Sequence, residues 1–158
     1  MPTSQAGKAF IVTNEGTCLT IKPDNRGPQI GHGHDLTPDE IASGSVYGIP
    51  VGDGITLEQA DFILDQDMET VYDPALNCLQ VQGLIPDTVT QNQWDAIADF
   101  IYNEGGPNTA TMLHHGWDQV PIQMPRWIWE EVNGVEQQSA GLAGRRAKEV
   151  ALFNTPVE

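Results

Sequence analysis

The sequence predicts an α+β domain that is mostly helical and carries one small β-sheet near its N-terminus. Apolar residues recur at helical spacing along most of the chain after residue 56. An alternating apolar and polar segment with strong turn residues occurs between residues 19 and 34. A short strand region next to a run of helices is typical of α+β proteins.

The first helix is predicted to lead directly into a β-hairpin. Ser4 can cap a short helix that carries Ala6, Phe10 and Ile11, and Gly16 is placed to end it. Residues 19–22 alternate like a strand, residues 23–27 have turn chemistry, and residues 29–34 are predicted to return as the second strand.

Capping-box patterns begin three further helices, at Thr37, Thr56 and Thr90. The first of these is brief because glycines crowd residues 44–54. In the helix from Thr56, apolar and other residues fall at helical spacing: Ala60, Ile63, Leu64, Asp67, Met68 and Val71. The helix from Thr90 has a buried stripe of Trp94, Ile97, Ala98 and Ile101. More helices are predicted from Pro74 and at about 109–115, 121–132 and 141–152.

Length and charge limit the possible functions. A chain of 158 residues with 39% hydrophobic content can bury more than about half of its unfolded surface as one domain. Its formal charge of −15 comes from 22 acidic and 7 basic residues. Such a chain has little with which to neutralise phosphates, so nucleic acid is not expected as a partner.

The cysteines and the apolar runs exclude further classes of protein. Cys18 and Cys78 are too few for a zinc ribbon and are expected to be reduced thiols, although their spacing leaves open whether they pair. No apolar run approaches the roughly 20 residues that span a membrane. The N-terminus also lacks a basic region followed by a long apolar one, so we expect a soluble chain without an export signal.

Two chemistries are possible for residues 15–34, and the first is a metal site. His32 and His34 lie two residues apart, so on a strand both point to the same face. No third ligand follows in a recognisable pattern, and the adjacent His114 and His115 are unable to point at one position on a helix. We therefore expect no metal and no cofactor.

The second chemistry is a pair of carboxyl groups for acid and base catalysis. Glu15 lies at the predicted end of a helix, where the negative end of the helix dipole favours its protonated form. Asp24 lies in a polar turn and should remain ionised. When the pKa values of two nearby carboxyl groups are shifted in opposite directions, one group can act as the acid and the other as the base. From their spacing alone, Glu15 and Asp24 could also be ordinary surface charges exposed to solvent.

The segment EGTCLTIKPD followed by QIGHGH resembles the active-site hairpin of the phage-type lysozymes, glycoside hydrolase family 24. Four more segments resemble that family in the same order: GITLEQADFILDQDM, LIPDTVTQNQWDAIADFIYNEGGPNTATML, VPIQMPRWIWEEVNG and GLAGRRAKEVALF. The resemblance implies one lysozyme-like catalytic domain over residues 1–158, with the hairpin sheet beside the active-site cleft. A hairpin lobe would cover about residues 15–55, and a helical lobe about residues 56–158 together with the N-terminal helix.

The resemblance also implies how the two carboxyl groups act. Glu15 would be the general acid, and Asp24 would position or activate the hydrolytic water. The family has a threonine where this chain has Gln29, and the turn before it is one residue shorter here. We expect Gln29 to hold the water together with Asp24, in a reaction that inverts the anomeric configuration.

Four other residues match family positions outside the carboxyl pair. His32 replaces the family's tyrosine and is expected to line the cleft. Asn103 matches a position that faces the substrate, although a helix C-cap explains it equally well. His34 and Asp67 match an ion pair that joins the hairpin to the central helix.

The function implied is that of a muramidase that cleaves the β-1,4 bond between N-acetylmuramic acid and N-acetylglucosamine in bacterial peptidoglycan. Arg145 and Arg146 would mainly support the fold. We expect a monomeric endolysin, made in the bacterial cytoplasm and acting on the wall after release by a holin or another route. A secreted antibacterial effector, a tail-associated lysozyme, a catalytically weak glycan-binding protein and a metal-dependent hydrolase are the alternatives.

Overall fold

A computed structural model describes residues 1–24 and 27–156. Its α-helices are α1 (Gln5–Glu15), α2 (Pro38–Ser43), α3 (Leu57–Asp67), α4 (Asp73–Val81), α5 (Gln91–Glu104), α6 (Gly106–Leu113), α7 (Val120–Gln123) and α8 (Ala140–Phe153). Its strands are β1 (Cys18–Asp24), β2 (Gly27–Gly31), β3 (His34–Asp35), β4 (Ser45–Val46), β5 (Ile49–Pro50), β6 (Trp129–Val132) and β7 (Val135–Gln138). A π-helix covers Met68–Tyr72, and short 3₁₀ turns cover Trp117–Gln119 and Met124–Arg126.

The chain divides into two compact units. The first, called the hairpin unit below, is Lys8–Val71. The second, called the helical unit, consists of Met1–Gly7 and Tyr72–Glu158. The predicted α+β class with a small N-terminal sheet is confirmed, because β1, β2 and β3 form an antiparallel sheet and helices make up most of the rest.

The sheet of the hairpin unit is held by its strand register and by a small apolar core. Lys22 pairs with Gln29 across β1 and β2, and Ile30 pairs with His34 across β2 and β3. Side chains from the sheet, the following loops and α3 form the core: Ile30, Leu36, Val46, Val51, Ile55, Ala60 and Ile63. The core therefore joins the sheet to α3.

The end of α1 determines where the first strand begins. Gly16 adopts φ +72°, and its N–H donates to the carbonyl of Val12 at 2.9 Å. A left-handed residue at this position ends a helix and is favourable for glycine. Glu15 is therefore the last residue of α1, and two residues separate it from the start of β1.

The three predicted capping boxes are all formed. The side chains of Thr37, Thr56 and Thr90 each accept a hydrogen bond from the backbone N–H three residues later. The Glu or Gln at that third position bonds back to the backbone of the cap in each case. Sequence therefore determines the starts of α2, α3 and α5 locally.

The helical unit is built around α5. Every residue of α5 from Trp94 to Tyr102 is buried, as expected for a helix with neighbours on all sides. Two of its polar residues, Asp95 and Asp99, are buried with it. The surrounding core includes Leu76, Ile85, Met112, Leu113, Val120, Met124 and Phe153.

The helix predicted over residues 121–132 is wrong in its second half. Helix α7 ends at Gln123, a 3₁₀ turn follows, and β6 and β7 form a hairpin. Asn133 and Gly134 turn this hairpin with φ +54° and φ +78°. An Asn-Gly turn of this kind suits the twist of two antiparallel strands.

Other differences from the prediction are smaller. A two-stranded ladder of β4 and β5 lies in the glycine-rich segment, and α6 begins at Gly106 rather than at about residue 109. Cys18 and Cys78 are both free thiols. Among the described residues, no helix combines the length and the apolar character needed to cross a membrane.

Candidate active site

Glu15 lies at the C-terminal end of α1 with its carboxyl group against the backbone of Gly33. A Cβ built on Gly33 would lie 2.8 Å from Oε2 of Glu15, and Gly33 has φ +89°. The backbone conformation favours glycine at this position, and a side chain there would displace the carboxyl group of Glu15. The half-buried Glu15 carboxyl group is thus positioned by the turn between β2 and β3.

Asp24 and Gln29 lie on the paired strands β1 and β2. The backbone of Asp24 pairs with Gly27, whereas the Asp24 side chain lies outside the described part of the structure. Nε2 of Gln29 donates a hydrogen bond to Oδ1 of Asp35 at 2.6 Å. This bond orients the amide group of Gln29, which is the group expected to hold the water.

His32 is buried, with 1% of its surface exposed. Its Nε2 lies 2.8 Å from Oδ1 of Asp61 on α3. Its Nδ1 lies 2.9 Å from Oγ1 of Thr17 and 3.3 Å from the carbonyl oxygen of Gly16. The ring therefore joins the residues that follow α1 to the middle of the hairpin unit, and its burial leaves little surface for direct contact with a glycan.

His34 and Asp67 are brought together at the centre of a group that we call the histidine cluster, which also contains Glu40 and Tyr47. Nδ1 of His34 lies 2.9 Å from Oδ2 of Asp67, and its Nε2 lies 3.1 Å from Oε2 of Glu40. The hydroxyl of Tyr47 donates to Oδ1 of Asp67 at 2.8 Å. Two carboxylates on opposite sides of the ring thus favour an imidazolium.

The protonation of the histidine cluster follows from these contacts. Burial alone would lower the pKa of His34, but hydrogen bonds and charges from Asp67 and Glu40 outweigh it and raise the pKa above 6.5. Burial raises the pKa of Glu40, but bonds from Thr37 and His34 lower it below 4.5 overall. The pKa of Tyr47 is raised to about 12, first by burial and then by Asp67.

Asn103 belongs to the helical unit, beside a second group that we call the arginine cluster: Asp99, Glu104, Arg145, Arg146 and Glu149. Oδ1 of Asn103 accepts a hydrogen bond from Arg146. Arg146 also bonds to Glu149, and to Glu104 at 2.8 Å. Arg145 forms two bonds of 2.9 Å to Asp99. These contacts account for the burial of both arginines, in line with the expected role in the fold.

One carboxyl group in the arginine cluster has an unusual environment. Burial is the main reason that the pKa of Glu149 is raised to about 8, and the nearby carboxylate of Asp99 adds to the shift while Arg146 opposes it. Oε2 of Glu149 is buried without a hydrogen-bond partner among the described atoms. Both observations fit a protonated, neutral Glu149.

The helical unit also has an open pocket of about 590 Å³. Its lining combines two tryptophans with polar and charged side chains: Glu104, Asn108, His115, Gln123, Arg126, Trp127, Trp129 and Glu136. Trp129 is 55% exposed. Flat aromatic faces beside hydrogen-bonding groups are suited to a polar ligand with apolar faces.

A metal site is not assembled in the part of the chain that the structure describes. No group of three or more His, Cys, Asp and Glu side chains there could hold an ion. The two candidate histidines have separate partners, since His32 meets Asp61 whereas His34 meets Asp67 and Glu40.

Sequence reasoning gave Asp67 as a partner of His34 but missed the other partners of the two histidines. Glu40 was identified only as a capping residue, yet its carboxylate bonds both Thr37 and His34. Tyr47 reaches Asp67 from a turn where its own φ is +49°. Thr17 and Asp61 had no sequence signal, because their contacts with His32 depend on how the chain folds.

Comparisons with known proteins give a consistent result. A sequence profile of the family described as phage lysozyme matches residues 12–149. An endolysin of Bacillus phage PZA is 32% identical over 98% of this chain, which spans only 56% of that protein's length. An endolysin of Acyrthosiphon pisum secondary endosymbiont phage 1 is 31% identical, with 98% of this chain and 99% of that protein covered.

Solved structures are similar over almost the whole chain. An endolysin from Escherichia coli O157:H7 phage FAHEc1 superposes with a TM-score of 0.76 and 29% identity, covering 98% of this chain and 94% of that one. The muramidase domain of SpmX from Asticaccaulis excentricus superposes with a TM-score of 0.74 and 28% identity, covering 98% of both chains.

Proposed function

Because this chain belongs to the phage lysozyme family, we propose that it is a peptidoglycan hydrolase, a muramidase that cleaves the β-1,4 bond between N-acetylmuramic acid and N-acetylglucosamine. The observation that carries the proposal is the position of Glu15. Its carboxyl group lies at the C-terminal end of α1 against the backbone of Gly33.

In the proposed reaction, Glu15 donates its proton to the glycosidic oxygen as the bond to the anomeric carbon breaks. Asp24 accepts a proton from a water that attacks the opposite face of that carbon. The leaving sugar thereby gains a hydroxyl, and the water oxygen becomes the new anomeric hydroxyl. No metal or cofactor takes part in this scheme.

Gln29 would share the work of Asp24. Its amide nitrogen is bonded to Asp35, which leaves the amide oxygen as the group that accepts a hydrogen bond from the water. A glutamine is two heavy atoms longer than the threonine of the family, and this extra reach would compensate for the shorter turn. Inversion requires room for the water, with the carboxyl groups of Glu15 and Asp24 about 6.5–9.5 Å apart.

The substrate would also be held by the helical unit. We propose that Asn103 contacts the glycan, and that the pocket beside its neighbour Glu104 receives part of the strand. The aromatic faces of Trp127 and Trp129 would stack on sugar rings there. Bacterial peptidoglycan is the proposed partner of a monomeric protein that is made in the cytoplasm of a bacterial host and acts on the wall after release.

Substitution of the acid tests the proposal directly. Glu15→Gln should lower turnover at least about a hundredfold, since general acid catalysis contributes roughly that much or more. Turbidity clearing of outer-membrane-permeabilised cells and release of reducing ends from purified peptidoglycan measure this loss. Glu58→Gln is the matched control, because Glu58 is exposed on the first turn of α3 and should be silent. Full activity of Glu15→Gln, in the presence or absence of EDTA, would refute the mechanism.

The stereochemistry of the product tests the role of Gln29. Proton NMR of the first product should detect the α anomer, because attack by water on the face opposite the leaving group inverts a β-linkage. An initial β anomer would mean retention, and the water would then not be held between the sugar and Asp24.

A glycan-binding protein with weak catalysis is the second candidate. The observation in its favour is the bond from Gln29 to Asp35, which engages the side chain that replaces the family's threonine. Such a protein would bind purified peptidoglycan in a pull-down but clear no cells, and Glu15→Gln would leave its binding unchanged.

A further inference from the structure

We propose that His32, held between Thr17 and Asp61, positions the carboxyl group of Glu15 for proton transfer. This inference rests on the proposed role of Glu15. It assigns to His32 a positioning role behind the acid, without contact with the glycan. It also gives functions to Thr17 and Asp61, which are otherwise unremarkable surface residues.

The first argument is that His32 links the same two chain segments that form the acid's site. Glu15 lies against Gly33, and the residues next to each of them are joined by the imidazole of His32. Its Nδ1 contacts Oγ1 of Thr17 at 2.9 Å and the carbonyl of Gly16 at 3.3 Å. Any displacement of the turn that carries Gly33 is thereby coupled to the end of α1.

The second argument is that the ring is anchored at both ends. A carboxylate only accepts hydrogen bonds, so Nε2 of His32 donates to Asp61 at 2.8 Å. The Thr17 hydroxyl is then able to donate to Nδ1, which leaves the carbonyl of Gly16 as a close contact rather than a hydrogen-bond partner. With two bonds on opposite sides, the imidazole has one orientation, and α3 becomes the reference against which the end of α1 is held.

The third argument is that His32 is buried whereas its two partners are exposed. His32 is 1% exposed, whereas the Asp61 side chain is 62% exposed and Thr17 is an exposed residue. Breaking either outer bond therefore leaves no cavity and should change stability little. An effect on the chemical step without an effect on folding is what separates positioning from simple structural support.

The experiment uses two matched pairs of variants. Thr17→Val removes the hydroxyl and keeps the shape, and Thr17→Ser restores the hydroxyl. Asp61→Ala removes the partner of Nε2. Asp65→Ala is its control, because Asp65 lies one turn further along α3 and pairs with Lys8 of α1 at 2.6 Å. Asp61→Ala and Asp65→Ala each remove one negative charge from α3.

Kinetics on purified peptidoglycan should separate the pairs. Thr17→Val and Asp61→Ala should lower kcat about tenfold with KM changed less than about twofold, since a displaced acid weakens only the transition state. Thr17→Ser and Asp65→Ala should keep the parent kcat. The double variant Thr17→Val with Asp61→Ala should be little worse than the poorer single variant, because both act through His32.

Three results would overturn the proposal. The first is parent-like kcat in both Thr17→Val and Asp61→Ala, and the second is an equal loss in Asp65→Ala. The third is a rise in KM alone, which would assign these residues to glycan binding. Unfolding midpoints within about 3 °C of the parent make the comparison valid. Failure of the proposed function is distinguishable, because it appears as full activity in Glu15→Gln.

Discussion

The histidine cluster of the hairpin unit and the arginine cluster of the helical unit bury charge in different ways. In both, carboxylates outnumber cations: Asp67 and Glu40 face His34, whereas Asp99, Glu104 and Glu149 face two arginines. The cation of the first cluster is an imidazolium, which can lose its proton, but a guanidinium does not lose its proton in proteins.

This difference determines which group adjusts its protonation. In the histidine cluster the carboxylates draw a proton onto the ring, so the pKa of His34 rises and that of Glu40 falls. In the arginine cluster the cations are fixed, and the excess negative charge is relieved by a proton on Glu149. A buried cluster with surplus carboxylates thus binds a proton at the group that can change its protonation state, which is His34 in one cluster and Glu149 in the other.

The largest effect is expected when a fixed cation is removed. Arg146→Met keeps the length of a fully buried side chain but removes the cation that pairs with Glu104 and that also bonds to Glu149. The free energy of unfolding should fall by about 3–5 kcal/mol, because uncompensated buried charge is costly. The Arg146→Met variant also loses the contact between the guanidinium and Phe100, whose ring centroid lies 4.6 Å from the guanidinium carbon.

Chemical denaturation of Arg146→Met measures this loss. The control is Arg126→Met, which removes the same charge from an exposed arginine and should cost less than about 0.5 kcal/mol. Equal effects of the two substitutions would mean that the arginine cluster is no more than a surface network.

Much of the architecture behind these clusters was predictable from local sequence. Capping boxes at Thr37, Thr56 and Thr90 and a left-handed Gly16 depend on contacts within a few residues, so sequence predicts them well. The hairpin of β6 and β7 also had a local signal, Asn133-Gly134, between two segments able to form strands. That signal was outweighed by a run of residues compatible with a helix.

The candidate site was predictable only in part. Spacing suggested Glu15 and Asp24 without excluding surface charges, and the family resemblance supplied the pairing of His34 with Asp67. The bond from His32 to Asp61 spans 29 residues and involves an aspartate that has the sequence features of any exposed helix charge. Contacts of this kind depend on packing between elements and have no local signature.

A smaller effect is expected from coupling inside the histidine cluster. In a double-mutant cycle with His34→Asn and Asp67→Asn, the interaction energy should be about 1–3 kcal/mol below pH 6.5, where the ring is protonated. Because the folded pKa of His34 is raised, its share of stability is complete below 6.5 and is lost as pH rises through the folded pKa.

The share of stability from Glu40 has the opposite dependence, since its folded pKa is lowered: it is present above 4.5 and is lost as pH falls through the folded value. A parallel cycle on Lys8 and Asp65, whose carboxylate is 48% exposed, should give less than about 1 kcal/mol. Strict additivity for His34 and Asp67 would mean that the two side chains do not interact in solution.

The smallest change in stability is expected for Glu149→Gln, and its pH dependence tests the comparison most directly. The folded pKa of Glu149 is about 8 against an ordinary 4.5, so the unfolded chain loses this proton first and stability falls as pH rises between these values. A glutamine is always neutral, as the protonated acid is. Near pH 4.5 the variant should therefore unfold within about 1 kcal/mol of the parent. Near pH 8 it should be the more stable of the two.

Glu136→Gln, at an exposed position on β7, should follow the parent at both pH values. If Glu149 were instead an ionised partner of Arg146, the cost of Glu149→Gln would grow with pH, and the arginine cluster would hold its charges without the proton that distinguishes it here.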